Sequence, residues 1–439
     1  MEIKAMTQHL WLRVMLRVVL VLVVLLLGTA LVVRLYGQHR LAQARTAAEQ
    51  VFAGLTVESC APPLIPAAED PAPLLRAGAV AWSVSEGDVG FLSGLSARPA
   101  TTWSAEERRR ARDLLAGETT ALKLLHRAGE VGTPATSLIG NDAGSADHGA
   151  LLSHLRSIRM LAVHSQLAWE SGEPQEAFRS LAALATLTTG LQGSNTIAGL
   201  LVGGAGEKLL HGAVHPLVED PTTSADHLAR IVALVPTEDV SRRWRCTLLK
   251  DLNDLEHKVA QQLAAGGAPS RWWLPHPTGP LLKAQLLAFY TRLATAFDEP
   301  FGGEPAWAAR PSLWRDGVIG TISAPNLIAA AARLQHLAAS RQLLHAAIAL
   351  RLQALASGTY PTSLSHIPGA SRPDPFTGEP LQYTLEENGS VTLSSPRMAQ
   401  LWRDMRVAGQ LSHVAPTTWR LPPPARRPGS SPSASAPAQ

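Results

Sequence analysis

Residues 18–33, VVLVLVVLLLGTALVV, constrain this chain more than any other stretch, because sixteen uncharged and mostly aliphatic residues stand together between Arg17 and Arg34. A helix rises about 1.5 Å per residue, so crossing roughly 30 Å of hydrocarbon takes about 20 residues. The apolar stems of Arg17 and Arg34 can lie along the acyl chains with their guanidinium groups at the headgroups, and Tyr36 suits the interface. The segment 18–36 is therefore expected to cross a membrane once. Everything before and after it must then lie on one side or the other.

Ala42-Gln43-Ala44 has the small-x-small form of a signal-peptidase site. It lies too far beyond the apolar run, and the run is longer than the usual signal core of about 7 to 15 residues, so an uncleaved anchor is the better account. Charge does not orient it. Lys4, Arg13 and Arg17 on one flank are matched by Arg34, Arg40 and Arg45 on the other. The short leader points to a cytoplasmic N-terminus and an extracytoplasmic body, in a bacterial envelope the periplasm.

With 439 residues, 46% of them hydrophobic and 17% charged, the chain has enough apolar surface for one or two cores. Its net charge of +4 is too dilute for a nucleic-acid footprint, and no basic run is interleaved with aromatics. Only six of the 39 basic residues are lysine, a bias typical of GC-rich genomes rather than of phosphate recognition. The two cysteines, Cys60 and Cys246, form no metal-type spacing. They stand either as a disulfide in an oxidising compartment or as two buried thiols, and the sequence leaves both open.

Beyond the anchor, Leu41–Leu55 continues as helix to about Gly54, and Cys60–Pro73, with five prolines in fourteen residues, reads as an extended spacer. Ala79–Val84 is compatible with a short strand. Ser104 with Glu107 three residues on forms a capping box that starts a helix to about Ala128. A Gly/Ser/Asp-rich loop over Gly140–Gly149 leads into Leu151–Trp169, where Leu152, Leu155, Ile158 and Leu161 mark one buried stripe. Gly172 and Pro174 end that helix and begin the next, Gln175–Leu191. Gly172, Ala177, Leu181 and Leu184 resemble the helical hairpin of a tetratricopeptide repeat, but no copy occurs at a 34-residue period, so only a pair of antiparallel helices is implied.

Thr196–His215 is apolar and ends before Pro216, with Glu207, Lys208 and His211 arguing for a buried core helix over a second span. Further helices are expected from Ser224 to Leu234, from Thr237 to about Ala265, over Leu281–Phe297 and over Pro325–Ser357, the last with Arg333, Arg341 and Arg351 as its solvent face. Arg271-Trp272-Trp273 in the intervening loop should close over the core.

Chemistry has one candidate constellation. Glu207, His211 and His215 stand at i, i+4 and i+8, and histidines four apart can share a zinc ion. A metalloprotease helix needs a glutamate directly after its first histidine, where Gly212 stands. With fifteen histidines in the chain, spacing by chance is the plainer account. Gly199–Lys208 does not fit a phosphate-binding loop, and its glycines suit close helix packing.

The most specific text is Leu350–Pro396. A helix stops at Gly358, Tyr360-Pro361 turns the chain, Asp374-Pro375-Phe376-Thr377-Gly378 forms a tight turn, and Leu381–Leu385 with Ser390–Leu393 form a hairpin. Through Gly358, Tyr360, Pro361, Asp374, Pro375, Gly378, Pro380 and Tyr383 this stretch resembles the C-terminal part of the major pseudopilins of type II secretion systems. The whole arrangement is also similar to single-pass envelope proteins of bacteria with large GC-rich genomes. The resemblance implies a helix with a small sheet clasped to it. It covers about a tenth of the chain. It implies neither fibre assembly nor a calcium site, because the anchor is far upstream and Ser394-Ser395-Pro396-Arg397 stands where those proteins have an aspartate-rich loop.

The expected architecture is mainly α: one transmembrane helix, a body of helical hairpins, and a small antiparallel β-hairpin module near the C-terminus. The expected segments are a leader (1–17), the span (18–36), a juxtamembrane helix and spacer (37–101), a helical body (102–324), the long helix with its β module (325–396), a further helix (397–421) and a Pro/Ser/Ala tail without a core (422–439). The expected role is a non-catalytic scaffold or interaction module that meets another envelope protein, as an accessory to a secretion or pilus-type system, without cofactor or nucleic acid. The competing class is a metal-dependent hydrolase built on Glu207, His211 and His215.

Overall fold

A computed structural model describes residues 2–61, 65–134, 138–139, 148–264, 279–298, 313–367, 373–398, 400 and 417–424. In chain order the helices are α1 (Glu2–Val51), α2 (Val57–Cys60), α3 (Ala72–Val80), α4 (Glu86–Ser96), α5 (Ala105–Ala116), α6 (Thr119–Val131) and α7 (His148–Glu170). They continue with α8 (Pro174–Gln192), α9 (Ile197–Glu219), α10 (Ala225–Leu234), α11 (Val240–Ala264), α12 (Gly279–Ala294) and α13 (Leu313–Ser357). The strands are β1 (Gln382–Leu385), β2 (Val391–Ser394) and β3 (Thr418–Leu421). The chain is thus mainly α-helical with one small sheet. It forms two compact units, residues 1–56, 248–296 and 306–328 in the first, and 57–247, 297–305 and 329–439 in the second.

In the first unit, α1 is unbroken for 50 residues to Val51, and the turn that follows holds Gly54, whose φ of +76° favours glycine. Its large apolar side chains from Met15 to Leu27 are all exposed, and the stretch is long and apolar enough to span a membrane. Further along, Gly37, Ala44, Ala48 and Phe52 are buried at helical spacing, and α1 packs along α12 there. The approach is close: a Cβ on Gly37 would lie 2.8 Å from the backbone nitrogen of Leu281.

The second unit is a helical body built on α7, α8 and α9. The α7–α8 hairpin turns at Gly172, with φ +75°, and buries Ala177, Phe178, Leu181 and Leu184 as the sequence predicts. The stripe on α7 is rotated from expectation: Leu151, His154, Ile158 and Leu161 point inward, while Leu152 is exposed. The glycines of α9 do pack closely, since Cβ atoms on Gly203 and Gly206 would meet Thr188 and Gln192 of α8 at under 3 Å.

Several expectations are corrected. The Cys60–Pro73 stretch is not simply extended, because α2 precedes its prolines, and Pro71 and Pro73 fall at the start of α3, where a missing N–H costs nothing. Ala79–Val84 is no strand; α3 runs into it, and the Trp82 indole is buried, donating to Ser157 Oγ at 2.8 Å. The helix after Ser104 starts with the predicted capping box but breaks at Gly117-Glu118, where the buried Glu118 carboxylate accepts the Ser83 N–H at 3.0 Å. Pro216 does not end α9, which continues one turn to Glu219. Finally, α13 starts at Leu313, and Arg341 and Arg351 on it are buried rather than solvent-facing.

The β module has a third strand that the hairpin text did not reveal. β2 is central and pairs antiparallel with both neighbours, Tyr383↔Leu393 on one side and Leu393↔Trp419 on the other. Tyr360, Leu364, Phe376, Val391, Leu393, Trp419 and Leu421 join Leu344, Ile348 and Leu352 of α13 in one apolar cluster, so the module is clasped to the helix. The fully buried Arg351 donates from Nη2 to the carbonyl of Asp220 at 2.9 Å, at the negative end of α9. The expected loop over Gly140–Gly149 lies largely outside the described residues. So do the Trp272-Trp273 pair, the Asp298–Pro311 segment after its first residue, most of the helix expected over 397–421, and the tail after Pro424.

Candidate functional site

Glu207 and His211 lie one turn apart on α9, and neither is exposed to solvent. Such a carboxylate must find donors in the protein. Arg341 of α13 supplies two, from Nε to Oε1 and from Nη2 to Oε2 at 2.7 Å, and Gln192 of α8 supplies a third to Oε2 at 2.7 Å. The network continues outward. Arg243 of α11 donates to Gln192 Oε1 and to the Glu238 carboxylate, and Arg341 Nη1 donates to the Glu238 carbonyl. Four helices are thereby joined through one polar knot in the body.

Burial pushes the Glu207 pKa up, but the charge and hydrogen bonds of Arg341, with help from His211 and Gln192, bring it below the ordinary carboxylate value. His211 faces Ser340 Oγ at 2.7 Å through Nδ1 and Glu207 at 3.6 Å through Nε2. Burial lowers its pKa to about 4, more than Glu207 raises it, so the ring is neutral at pH 7. The neighbouring Lys208 is lowered to about 8, by burial first and then by Arg333.

His215 is not part of this knot. Its Nε2 lies 3.2 Å from Glu219 Oε1, and its ring centroid is 4.4 Å from that of Trp419. The same Glu219 oxygen accepts the Arg420 N–H at 2.7 Å. His215 and Glu219 thus cover the outer edge of β3, which would otherwise present unpaired backbone groups. Burial lowers the His215 pKa despite the nearby Glu219. Among the described residues no group of three or more His, Cys, Asp or Glu side chains is arranged to hold a metal ion.

Comparison with protein-family models, curated proteins and solved structures gives no match.

Beside the knot lies a half-open cleft of about 760 Å³, between α13 and the turn from α10 to α11. Val232, Ile348 and Leu352 supply apolar wall, and Glu238, Asp239 and His345 supply polar groups. Its size is that of a small-ligand pocket. Arg341 lines it as well, but its guanidinium is already engaged by Glu207. Sequence reasoning did not find Gln192, Arg243 or Arg341 as members of this site. The partners of Glu207 lie 15 and 134 positions away, and no local pattern marks an arginine that will turn inward.

The second feature of note is a disulfide between Cys60 and Cys246, with Cα atoms 5.4 Å apart, tying the start of the second unit to α11. Asn195, at φ 51°, donates from Nδ2 to the Cys60 carbonyl, and Arg242 donates to the Ser59 carbonyl at 3.4 Å. The disulfide and these hydrogen bonds fix residues 57–60 to the body.

Proposed function

We propose that this chain is a single-pass envelope protein, held in a bacterial inner membrane by residues 18–36, whose periplasmic body is a non-catalytic scaffold for another envelope protein. The Cys60–Cys246 disulfide carries the assignment of compartment, because such bonds persist outside the reducing cytosol. The scaffold reading draws support from the engagement of Glu207 and His215, the carboxylate and one imidazole of the candidate constellation. Glu207 is held by Arg341 and Gln192, and His215 is turned to Glu219 and Trp419. The pseudopilin-like text supports a place beside a secretion or pilus-type machine. Its Gly358 and Gly378 take φ of +81° and +71°, and its Tyr383 hydroxyl donates to the Pro361 carbonyl.

Two measurements test this. Alkaline phosphatase joined after Gln439, which leaves β3 intact, should be active, and a fluorescent protein that folds only in the cytosol should stay dark at the same junction. The opposite pair of results would put the body inside the cell. Metal analysis of the purified full-length protein tests the scaffold role. Stoichiometric zinc that disappears in His211→Ala would overturn it in favour of the hydrolase.

A further inference from the structure

Three residues on three helices meet away from the knot. His126 of α6 approaches Ser180 Oγ of α8 through Nε2 at 2.8 Å, and His164 of α7 approaches the same oxygen through Nδ1 at 2.8 Å. Ser180 is fully buried, and the two ring centroids are 5.7 Å apart. One hydroxyl carries one proton, so it can donate to one imidazole while accepting from the N–H of the other. Glu176 Oε2 lies 3.7 Å from His126 Nδ1 and favours the proton there. Ser180 then donates to His126 Nε2, and His164 Nδ1–H donates to Ser180. This pattern resembles the polarity of a hydrolytic triad, but a hydroxyl with no exposed surface is closed to substrate.

We propose that His126, Ser180 and His164 form an acid-labile latch, which holds α6 to α7 and α8 while both imidazoles are neutral and releases it when they are protonated. The arrangement allows no graceful charging. A protonated imidazole is a donor at both nitrogens, so His126 could no longer accept from Ser180, and two cations would face each other across one hydroxyl. The charged groups facing the pair offset this only in part. Glu176 of α8 favours charge on both rings and Glu173 on His164, but Glu176 is also engaged by Arg179 Nη1 at 2.7 Å, and Arg179 lies 3.8 Å from Glu130 of α6. Both pKa values are lowered, His126 to about 4, by burial first and then by His164 and Arg179 against the pull of Glu176.

The sign follows directly. A histidine whose pKa is depressed in the closed state favours closure above its ordinary value of 6.5, and that advantage is lost as pH falls from 6.5 toward 4. At pH 5 His126 alone shifts the balance toward opening by about 30-fold. Close packing sits next to the latch: a Cβ on Gly129 would lie 2.6 Å from the Ala183 nitrogen, so α6 cannot loosen partway without losing this contact. Release would uncover the face of α6 that carries His126 and Gly129, and the Ala182-Ala183 backbone of α8 on which it packs.

Hydrogen exchange on the full-length protein in detergent, at pH 7.5 and 5.0 and expressed as protection over intrinsic exchange, tests the latch. Wild-type α6 should lose about 30-fold or more of its protection at pH 5.0 relative to α10. The His126→Gln/His164→Gln variant should show no such pH dependence. An α6 with the same protection at both pH values, or an equal loss in the double variant, would overturn the proposal. Should the double variant fail to fold, histidine titration by NMR on the wild type decides. Protonation of His126 near 6.5 in the closed protein refutes the latch, and protonation only below about 5 with concerted broadening of α6 supports it.

Discussion

Replacing Arg341 by Met tests the polar knot most directly, because the aliphatic stem is kept while the charge and the donors to Glu207 are lost. Glu207 would keep Gln192 Nε2 at 2.7 Å and His211 at 3.6 Å, with no exposed surface. Breaking a buried pair by removing one partner typically costs about 3 to 5 kcal/mol. Two unit charges about 4 Å apart at an effective dielectric of 20 give about 4 kcal/mol, which agrees. The orphaned carboxylate has one escape, to take up a proton. From an ordinary value of 4.5, protonation at pH 7 costs about 3.4 kcal/mol, and at pH 5 it costs under about 1 kcal/mol. The penalty relative to wild type should therefore be about 3 to 5 kcal/mol at pH 7.5 and smaller by about 2 kcal/mol at pH 5.0. In thermal unfolding followed by circular dichroism, the loss at pH 7.5 corresponds to roughly 6 to 20 °C. Adding Glu207→Gln should recover much of it. A loss below about 1 kcal/mol at pH 7.5, or one that grows on acidification, would refute the assignment of Glu207 as a charged, Arg341-dependent group.

The disulfide closes a loop with a sequence separation of 186, which in the chain-entropy account is worth about 5 kcal/mol. Reduced wild type and a Cys60→Ser/Cys246→Ser variant should therefore unfold at the same temperature, well below the oxidised protein. Phe376→Ala empties a position only 1% exposed beneath the β module and should cost about 3 to 5 kcal/mol; unchanged unfolding with a lost partner contact would instead make the module a functional surface. Gly37→Leu should lower hydrogen-exchange protection of α12, whereas Gly28→Leu, with nothing within 4 Å of its would-be Cβ, should not.

Helix text was legible where the signals are local. The capping box at Ser104, the turn at Gly172 and the end of α13 at Gly358 each rest on residues within one turn of the boundary. Pro216 misled because its local rule has an exception. A proline removes one N–H and disfavours helix before it, yet here Leu217 and Val218, both buried, hold the last turn of α9 in the core. The third strand was missed for a related reason. Four residues, Thr418–Leu421, carry little signal of their own, and their place is set by β2, by Trp419 against His215, and by Glu219 on the Arg420 N–H.

The candidate triple shows where one-dimensional spacing stops being informative. At 3.6 residues per turn, i+4 lies about 40° round the helix from i, but i+8 lies about 80° round and roughly 12 Å further along. Glu207 and His211 can therefore share a neighbour, and they do, facing α13 at Arg341 and Ser340. His215 is rotated far enough to meet a different one, β3. A metal site on this helix would have needed ligands at i and i+4 plus a third from another element. The group that another element supplies to Glu207 is a guanidinium, which neutralises the carboxylate and fills its lone pairs. The inward turn of Arg341 thus decides what Glu207 can do. Arginine usually lies on a wet helix face, so only the fold could reveal this inward turn.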